Sequence, residues 1–297
     1  MRARMKRRQL VRRLTILITF LVIIASIGVG AYLLSQVGSS SIDSYINVAV
    51  SSPNLAALQA ASAQPYGPAP TATMRNAVQV YGGTPFVTDG KPTVVFVGGE
   101  FCQYCAVERW ALIVALNRFG NLTGLHYMTS AADEGDYATF SFVGSSYSSN
   151  FISFRPFEAA DRSQAALQTV PSNYTTVWDN YGGGYPFMDF GNTYVLSASI
   201  IADPSIITGM NWTSIISNIQ SGGSAGQVIL QAANTISAVI CKITNNEPGS
   251  VCTANPIGST SSLISAPAQG SLTFSDSPAQ AVPAQTSASP KSLQRFS

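Results

Sequence analysis

The chain is poor in the groups that most often carry chemistry. One histidine, His126, stands among 297 residues, only 10% of positions are charged, and there are four cysteines. A zinc site takes four ligands, usually with a second cysteine or histidine pair at a recognisable spacing, and here there is little to build one from. Residue 106 is alanine, so Cys102-Gln-Tyr-Cys105 lacks the histidine of a c-type haem attachment motif. No internal repeat is visible, which removes solenoids and propellers from consideration.

The scarce charge is also unevenly placed. Residues 1–13 carry Arg2, Arg4, Lys6, Arg7, Arg8, Arg12 and Arg13 and no acid; setting these seven aside leaves nine Lys or Arg against fourteen Asp or Glu, about −5 for the rest. A nucleic-acid-binding face needs its basic residues on the folded part, so no nucleic-acid partner is expected. Ser, Thr, Asn and Gln fill the polar positions instead, a surface suited to acid. With 46% hydrophobic residues the chain has enough apolar material for a core.

Directly after the basic segment comes an uncharged apolar run, Leu14 to Leu34. At roughly 1.5 Å per helical residue it spans about 30 Å, the thickness of a bilayer's hydrocarbon core. It is longer than the apolar part of a signal peptide, although Ala25-Ser26-Ile27-Gly28 offers a small-residue cleavage site. The positive-inside rule keeps residues 1–13 in the cytoplasm and places everything after Leu34 outside, so the expected location is the cell membrane, single-pass. Three sequons, at Asn121, Asn173 and Asn211, fit an external glycoprotein. Cysteines outside the cell meet an oxidising compartment in which disulfides persist.

Residues 35–73 are rich in Ser, Ala, Pro and Gln and read as a linker with a short helix near 54–61; residues 74–258 read as the folded domain and 259–297 as a disordered tail. Within the domain, Pro92 to Gly98 is a β-branched run bounded by glycine, a buried strand. From Cys102 to Phe119 apolar residues recur at helical spacing, so the two cysteines open a helix. Residues 125–129 suggest a second strand and hence a parallel β–α–β unit. Weaker patterns suggest a strand at 139–143 and a helix over 162–170. The segments 186–190 and 193–196 flank Gly191-Asn192, a two-residue hairpin turn, and helices are expected near 212–220 and 226–244.

A Cys-x-x-Cys pair at a helix start is chemically pointed. Unpaired backbone amides and the positive end of the helix dipole favour the thiolate, and such positions lower a cysteine pKa from about 8.5 to roughly 3.5–7.5. Cys102 is then the nucleophile and Cys105, one turn on, the resolving thiol. Cys241 and Cys252 lie at the end of a helix and after the Glu247-Pro-Gly turn, a spacing that suits a structural bridge, with a second, relay-type redox pair as the alternative.

Strand, Gly-Gly-Glu-Phe turn, Cys102-Gln-Tyr-Cys105, helix, strand and a later Tyr185-Pro186 before a hairpin together resemble the thioredoxin-like superfamily. Phe142, Tyr147-Ser-Ser-Asn-Phe, Phe154-Arg-Pro-Phe-Glu-Ala-Ala-Asp-Arg and Tyr185-Pro-Phe-Met-Asp-Phe-Gly-Asn are similar to a largely archaeal, membrane-anchored family of unknown function within it, over about residues 74–255. The resemblance implies an α/β thioredoxin-like fold, a central mixed sheet flanked by helices, with an insertion. It implies a cis-proline loop facing the cysteines and pairing with substrate, for which Tyr185 and Pro186 are the match and Pro171 the weaker one. Thioredoxins carry a buried acid six residues before the first cysteine and a tryptophan directly before it; this chain has Phe96 and Phe101, which leaves Glu100 or Glu108 for proton transfer.

The expected function is a membrane-anchored extracytoplasmic thiol–disulfide oxidoreductase with no cofactor, acting on exported proteins with thiols or disulfides and served by a redox partner. Oxidant, isomerase and reductant chemistry all fit the pair. A non-catalytic accessory subunit of a membrane complex is the alternative from another class. A third reading is a copper or zinc carrier, using the two cysteines and His126.

Overall fold

The computed structural model describes residues 44–63 and 66–265. The basic segment, the apolar run 14–34 and residues 266–297 of the expected tail lie outside the described residues.

The first described elements belong to the domain and do not form a free spacer. Backbone bonds join Asn47 to Tyr127 and Tyr127 to Val48. Helix α1 (Ser52–Ser62) then puts Leu58 and Ala61 fully into the core. The expected linker is thus folded from Ser44 onward, because its few apolar side chains find a face to bury. Helix α2 (Ala72–Asn76) follows, capped by the Thr71 hydroxyl, which accepts from the Met74 amide. Short strands β1 (Gln79–Val80) and β2 (Val87–Thr88) lead into the long β3 (Lys91–Gly99) and then α3 (Gln103–Phe119). An excursion of four strands, β4 (Asn121–Thr123), β5 (His126–Thr129), β6 (Ala138–Ser141) and β7 (Ser146–Ser148), precedes β8 (Ser153–Ala160). After α4 (Ser172–Asn180) come the hairpin β9 (Phe187–Phe190) and β10 (Tyr194–Leu196) and the helices α5 (Trp212–Ser221), α6 (Ser224–Ile243), α7 (Gly249–Cys252) and α8 (Ile257–Leu263).

The main sheet is mixed, with strand order β1-β10-β9-β3-β2 and β8 also paired to β3. β8 runs parallel to β3 and β9 antiparallel to it. The expected β–α–β partner at 125–129 is therefore displaced. β5 pairs with β6, antiparallel, in a separate two-stranded sheet, and takes a further antiparallel bridge from Ala49 to His126; the parallel neighbour of β3 is β8, some thirty residues later along the chain. The strand at 153–160 carries Arg155, Pro156 and Glu158, which mask it as a strand, yet Glu158 is fully buried.

Period-two alternation divides the sheet between two cores. Val94, Phe96, Met188 and Phe190 join the large core with α3 and α6, while Val95, Val97, Phe187 and Val195 join a smaller one with Val177 of α4. Coverage on both faces is why β3 reads as an unbroken apolar run. Residues 162–170 do not form the expected helix. The Asp161 carboxylate accepts from the Ser163 and Ala165 amides and holds a turn, Leu167 is exposed, and the helix starts only at Ser172. At the other end α8 runs past the expected boundary at 258, with Thr260, Ser261 and Ile264 buried.

Among the described residues one helix, α6, is long and apolar enough to cross a membrane, but 78% of its apolar window is buried inside the domain, where it packs against α3. That burial accounts for its composition.

Candidate functional site

The site begins where β3 ends. Cys102 is the N-cap of α3, in extended conformation (φ −75°, ψ 124°), and its Sγ accepts the Cys105 amide at 3.2 Å. Both cysteines are free thiols, Cys102 6% exposed and Cys105 0%. The Cys102 pKa is lowered to about 7: the Cys105 thiol bonds to it first, burial opposes, and the Cys105 amide, the Arg109 charge and the Tyr104 backbone add to the lowering. Burial pushes Cys105 well up, and the neighbouring Cys102 pushes the same way. One poised thiol and one held protonated behind it is the asymmetry that a nucleophile and a resolving thiol require.

The rim is aromatic. Tyr104, between the cysteines, is 42% exposed. Phe101 meets the Tyr185 ring edge-on at 6.1 Å, and Trp178 stacks on Tyr185 at 5.6 Å. The Tyr185–Pro186 bond is cis. The Tyr185 hydroxyl titrates above its usual range, mainly through burial and then through the charge of Cys105 and Cys102. Pro171 lies elsewhere, as the N-cap of α4. Tyr181 belongs to the neighbouring cluster, against Tyr81 and Phe187.

The two expected proton-transfer carboxyls are both buried, but their hydrogen bonds lead away from the thiols. Glu100 accepts from the Ser141 hydroxyl at 2.5 Å, and burial raises its pKa. Glu108, fully buried, accepts from Ser199 Oγ at 2.7 Å and the Ile200 amide at 3.0 Å; desolvation raises it to about 7. Among the described residues no hydrogen bond joins either carboxyl to a cysteine.

The group that sequence reasoning missed is Arg109. It lies one turn beyond Cys105 and is 0% exposed, because α3 is enclosed on all sides and thirteen of its seventeen residues are buried. Its guanidinium donates Nε to Glu158 Oε1 at 3.0 Å, and Nη2 to Glu158 Oε2 at 2.6 Å and to the Gly99 carbonyl at 2.8 Å. Glu158 in turn accepts from the Phe142 amide. Arg109 also lies 5.6 Å from the centroid of Phe96, the residue standing where thioredoxins have an acid. In sequence Arg109 was one charge on a helix; only the partner strand at 153–160, itself hard to read, would have pointed to it.

Cys241 and Cys252 are disulfide-bonded with a Cα–Cα distance of 5.6 Å, both buried, tying α6 to α7. Asn121 is exposed on β4 with its Oδ1 taking a bond from Gln59, Asn173 is exposed in the first turn of α4, and Asn211 is exposed as the N-cap of α5. His126 lies in β5, opposite Ser141. Among the described residues no group of three His, Cys, Asp or Glu side chains is placed to hold a metal ion, so the structure does not gather His126 with the cysteines.

Residues 77–242 match the family described as Domain of unknown function (DUF929). No curated protein and no solved structure matches the chain.

Proposed function

We propose, for a chain that belongs to the DUF929 family and takes no assigned chemistry from it, that it is a thioredoxin-like thiol–disulfide oxidoreductase acting on exported proteins and held at the outer side of the cell membrane by residues 14–34. The observation that carries this is the Cys102–Cys105 pair: two free thiols at a helix start, the first lowered to about 7 and the second held protonated. Near neutral pH a thiol of that pKa is about half thiolate and still a good nucleophile.

The strand arrangement supports the thioredoxin-like part of the reading. β8, β3, β9 and β10 lie side by side, parallel between the first two and antiparallel thereafter. The cysteines follow β3, and Tyr185-Pro186 precedes β9 on the same side. The residues between α3 and β8 form the insertion. The aromatic rim supports a polypeptide substrate, since Phe101, Tyr104 and Tyr185 offer rings to a passing segment without demanding one sequence.

Cys102 attacks a substrate disulfide and Cys105 then displaces the substrate. Cys105→Ser removes the second step, so the variant is expected to accumulate mixed disulfides through Cys102 in intact cells. If none forms with C105S, while wild-type protein is present at the membrane, the redox reading fails and the accessory-subunit reading replaces it.

A further inference from the structure

The resolving step makes a second demand on the site. While Cys102 is free, its sulfur shares the Cys105 proton. Once Cys102 is bonded to substrate it is no longer an anion, and Cys105, with no exposed surface, must itself become a thiolate in an apolar setting. An uncompensated buried anion is costly. Thioredoxins place an acid at this depth; here that position is Phe96, and the charge lying against its ring is a cation.

We propose that Arg109 is the positioning residue of the resolving step, its buried guanidinium stabilising the Cys105 thiolate while Cys102 is held in the mixed disulfide. This rests on the oxidoreductase reading above. Arg109 follows Cys105 by four residues, which puts both on one face of α3. Glu158 and the Gly99 carbonyl hold Nε and Nη2, fixing the fork, while Nη1 is buried without a hydrogen-bond partner. A buried donor left unpaired costs stability, so its retention asks for a reason. The Arg109 charge and the Gly99 backbone are the influences that favour an anion at Cys105. The other ionisable groups at this end of the sheet are Glu134, whose Oε2 accepts from the Gln103 amide at 3.4 Å, Glu158, which holds the guanidinium itself, Glu100, bonded to Ser141 in the turn before α3, and the Tyr185 hydroxyl. The carboxylates oppose a thiolate, and Tyr185 is neutral, which leaves Arg109 as the favourable charge.

The Cys102 thiolate attacks a substrate disulfide R–S–S–R′, forming Cys102–S–S–R and releasing R′–S⁻. The Cys105 proton passes to R′–S⁻, and the Cys105 thiolate attacks the Cys102 sulfur, breaking its bond to R and releasing R–S⁻. The two cysteines lose two electrons and the substrate disulfide gains them. Run in reverse, the same steps oxidise a dithiol.

The test uses the full-length reduced protein in detergent and an aromatic disulfide that releases a coloured thiolate. Stopped-flow traces then separate the first release, from Cys102 attack, from the second, from Cys105 attack. Arg109→Met with Glu158→Gln removes both charges together and leaves no buried carboxylate unpaired. Its second phase is expected to slow about tenfold or more at pH 7, with the midpoint of its pH profile displaced upward by about one unit, since one unit is a tenfold change in thiolate. The first phase should change less. Arg109→Lys, which keeps the charge, should recover most of the second phase. A folded R109M/E158Q protein whose second phase and pH profile equal the wild type overturns the role of Arg109 alone. A wild-type protein that shows no second phase overturns the oxidoreductase reading, and this inference with it.

Discussion

Glu108 is where the structure makes its most quantitative demand. The carboxyl is fully buried on α3, its Oε2 satisfied by Ser199 and Ile200 and its Oε1 without a partner, and desolvation lifts its pKa from 4.5 to about 7. Between those values the folded state keeps the proton and the unfolded chain has lost it. The folded state therefore binds more protons, and stability falls as pH rises from about 4.5 to about 7, then levels. At about 1.4 kcal/mol per unit, the Glu108 contribution to that fall is about 3 kcal/mol. Asp189, whose burial likewise raises it to about 7, bends the curve the same way. Glu108→Gln keeps an acceptor for Ser199 and Ile200 and cannot ionise. Denaturant titrations of the full chain in detergent should show E108Q close to wild type at pH 4.5 and more stable by about 3 kcal/mol at pH 7.5. A wild-type stability that is flat or rises across this window, or an E108Q protein with the wild-type slope, would refute the assignment. The sign also agrees with a surface poor in charge: both would suit a protein facing acid.

Two further outcomes can be checked directly. Alkylation of Cys102 by iodoacetamide, followed by mass spectrometry, should show a midpoint near pH 7, because the Cys105 thiol and amide stabilise its anion. Cys105→Ala removes the thiol donor and should move the midpoint up toward about 8.5; an unmoved midpoint would count against the hydrogen bond. Leu58→Ala, in what the sequence offered as a linker, should cost about 2–5 kcal/mol in thermal or chemical unfolding, because Leu58 is 0% exposed in the main core. An effect below half a kcal/mol, the size typical of a surface substitution, would mean that α1 is not part of the domain.

How much was legible depended on whether the signal was local. Cys102 and Cys105 at a helix start could be read because the apolar spacing from Val107 to Phe119 follows them directly. The β9–β10 hairpin could be read because Gly191 and Asn192, with φ of 64° and 57°, are residues that accept the left-handed region, but the loop is three residues, not the expected two: Tyr194 pairs with Phe190, and Thr193 lies in the turn with its amide bonded to the Phe190 carbonyl. The parallel partner of β3 could not, since pairing across sixty residues leaves no periodic mark and β8 carries Arg155, Pro156 and Glu158. Nor could the depth of Glu108 and Arg109. Charges on a helix usually face water, and only the closure of the sheet, α1 and α6 around α3 shows that these two do not. The missing acid at Phe96 was visible as an absence, but the cation beside it depended on that same closure.

The docking of residues 44–63 onto the domain changes the mechanics of the proposed anchor. A spacer running to residue 73 would be a long leash, letting the active site sweep far from the bilayer. With the chain fast to the domain from Ser44, only residues 35–43 separate it from Leu34, and fully extended they reach at most about 30 Å. If residues 14–34 anchor the chain as proposed, a tether that short would keep the whole domain close to the lipid surface, and the polypeptides it would meet first are those near the bilayer.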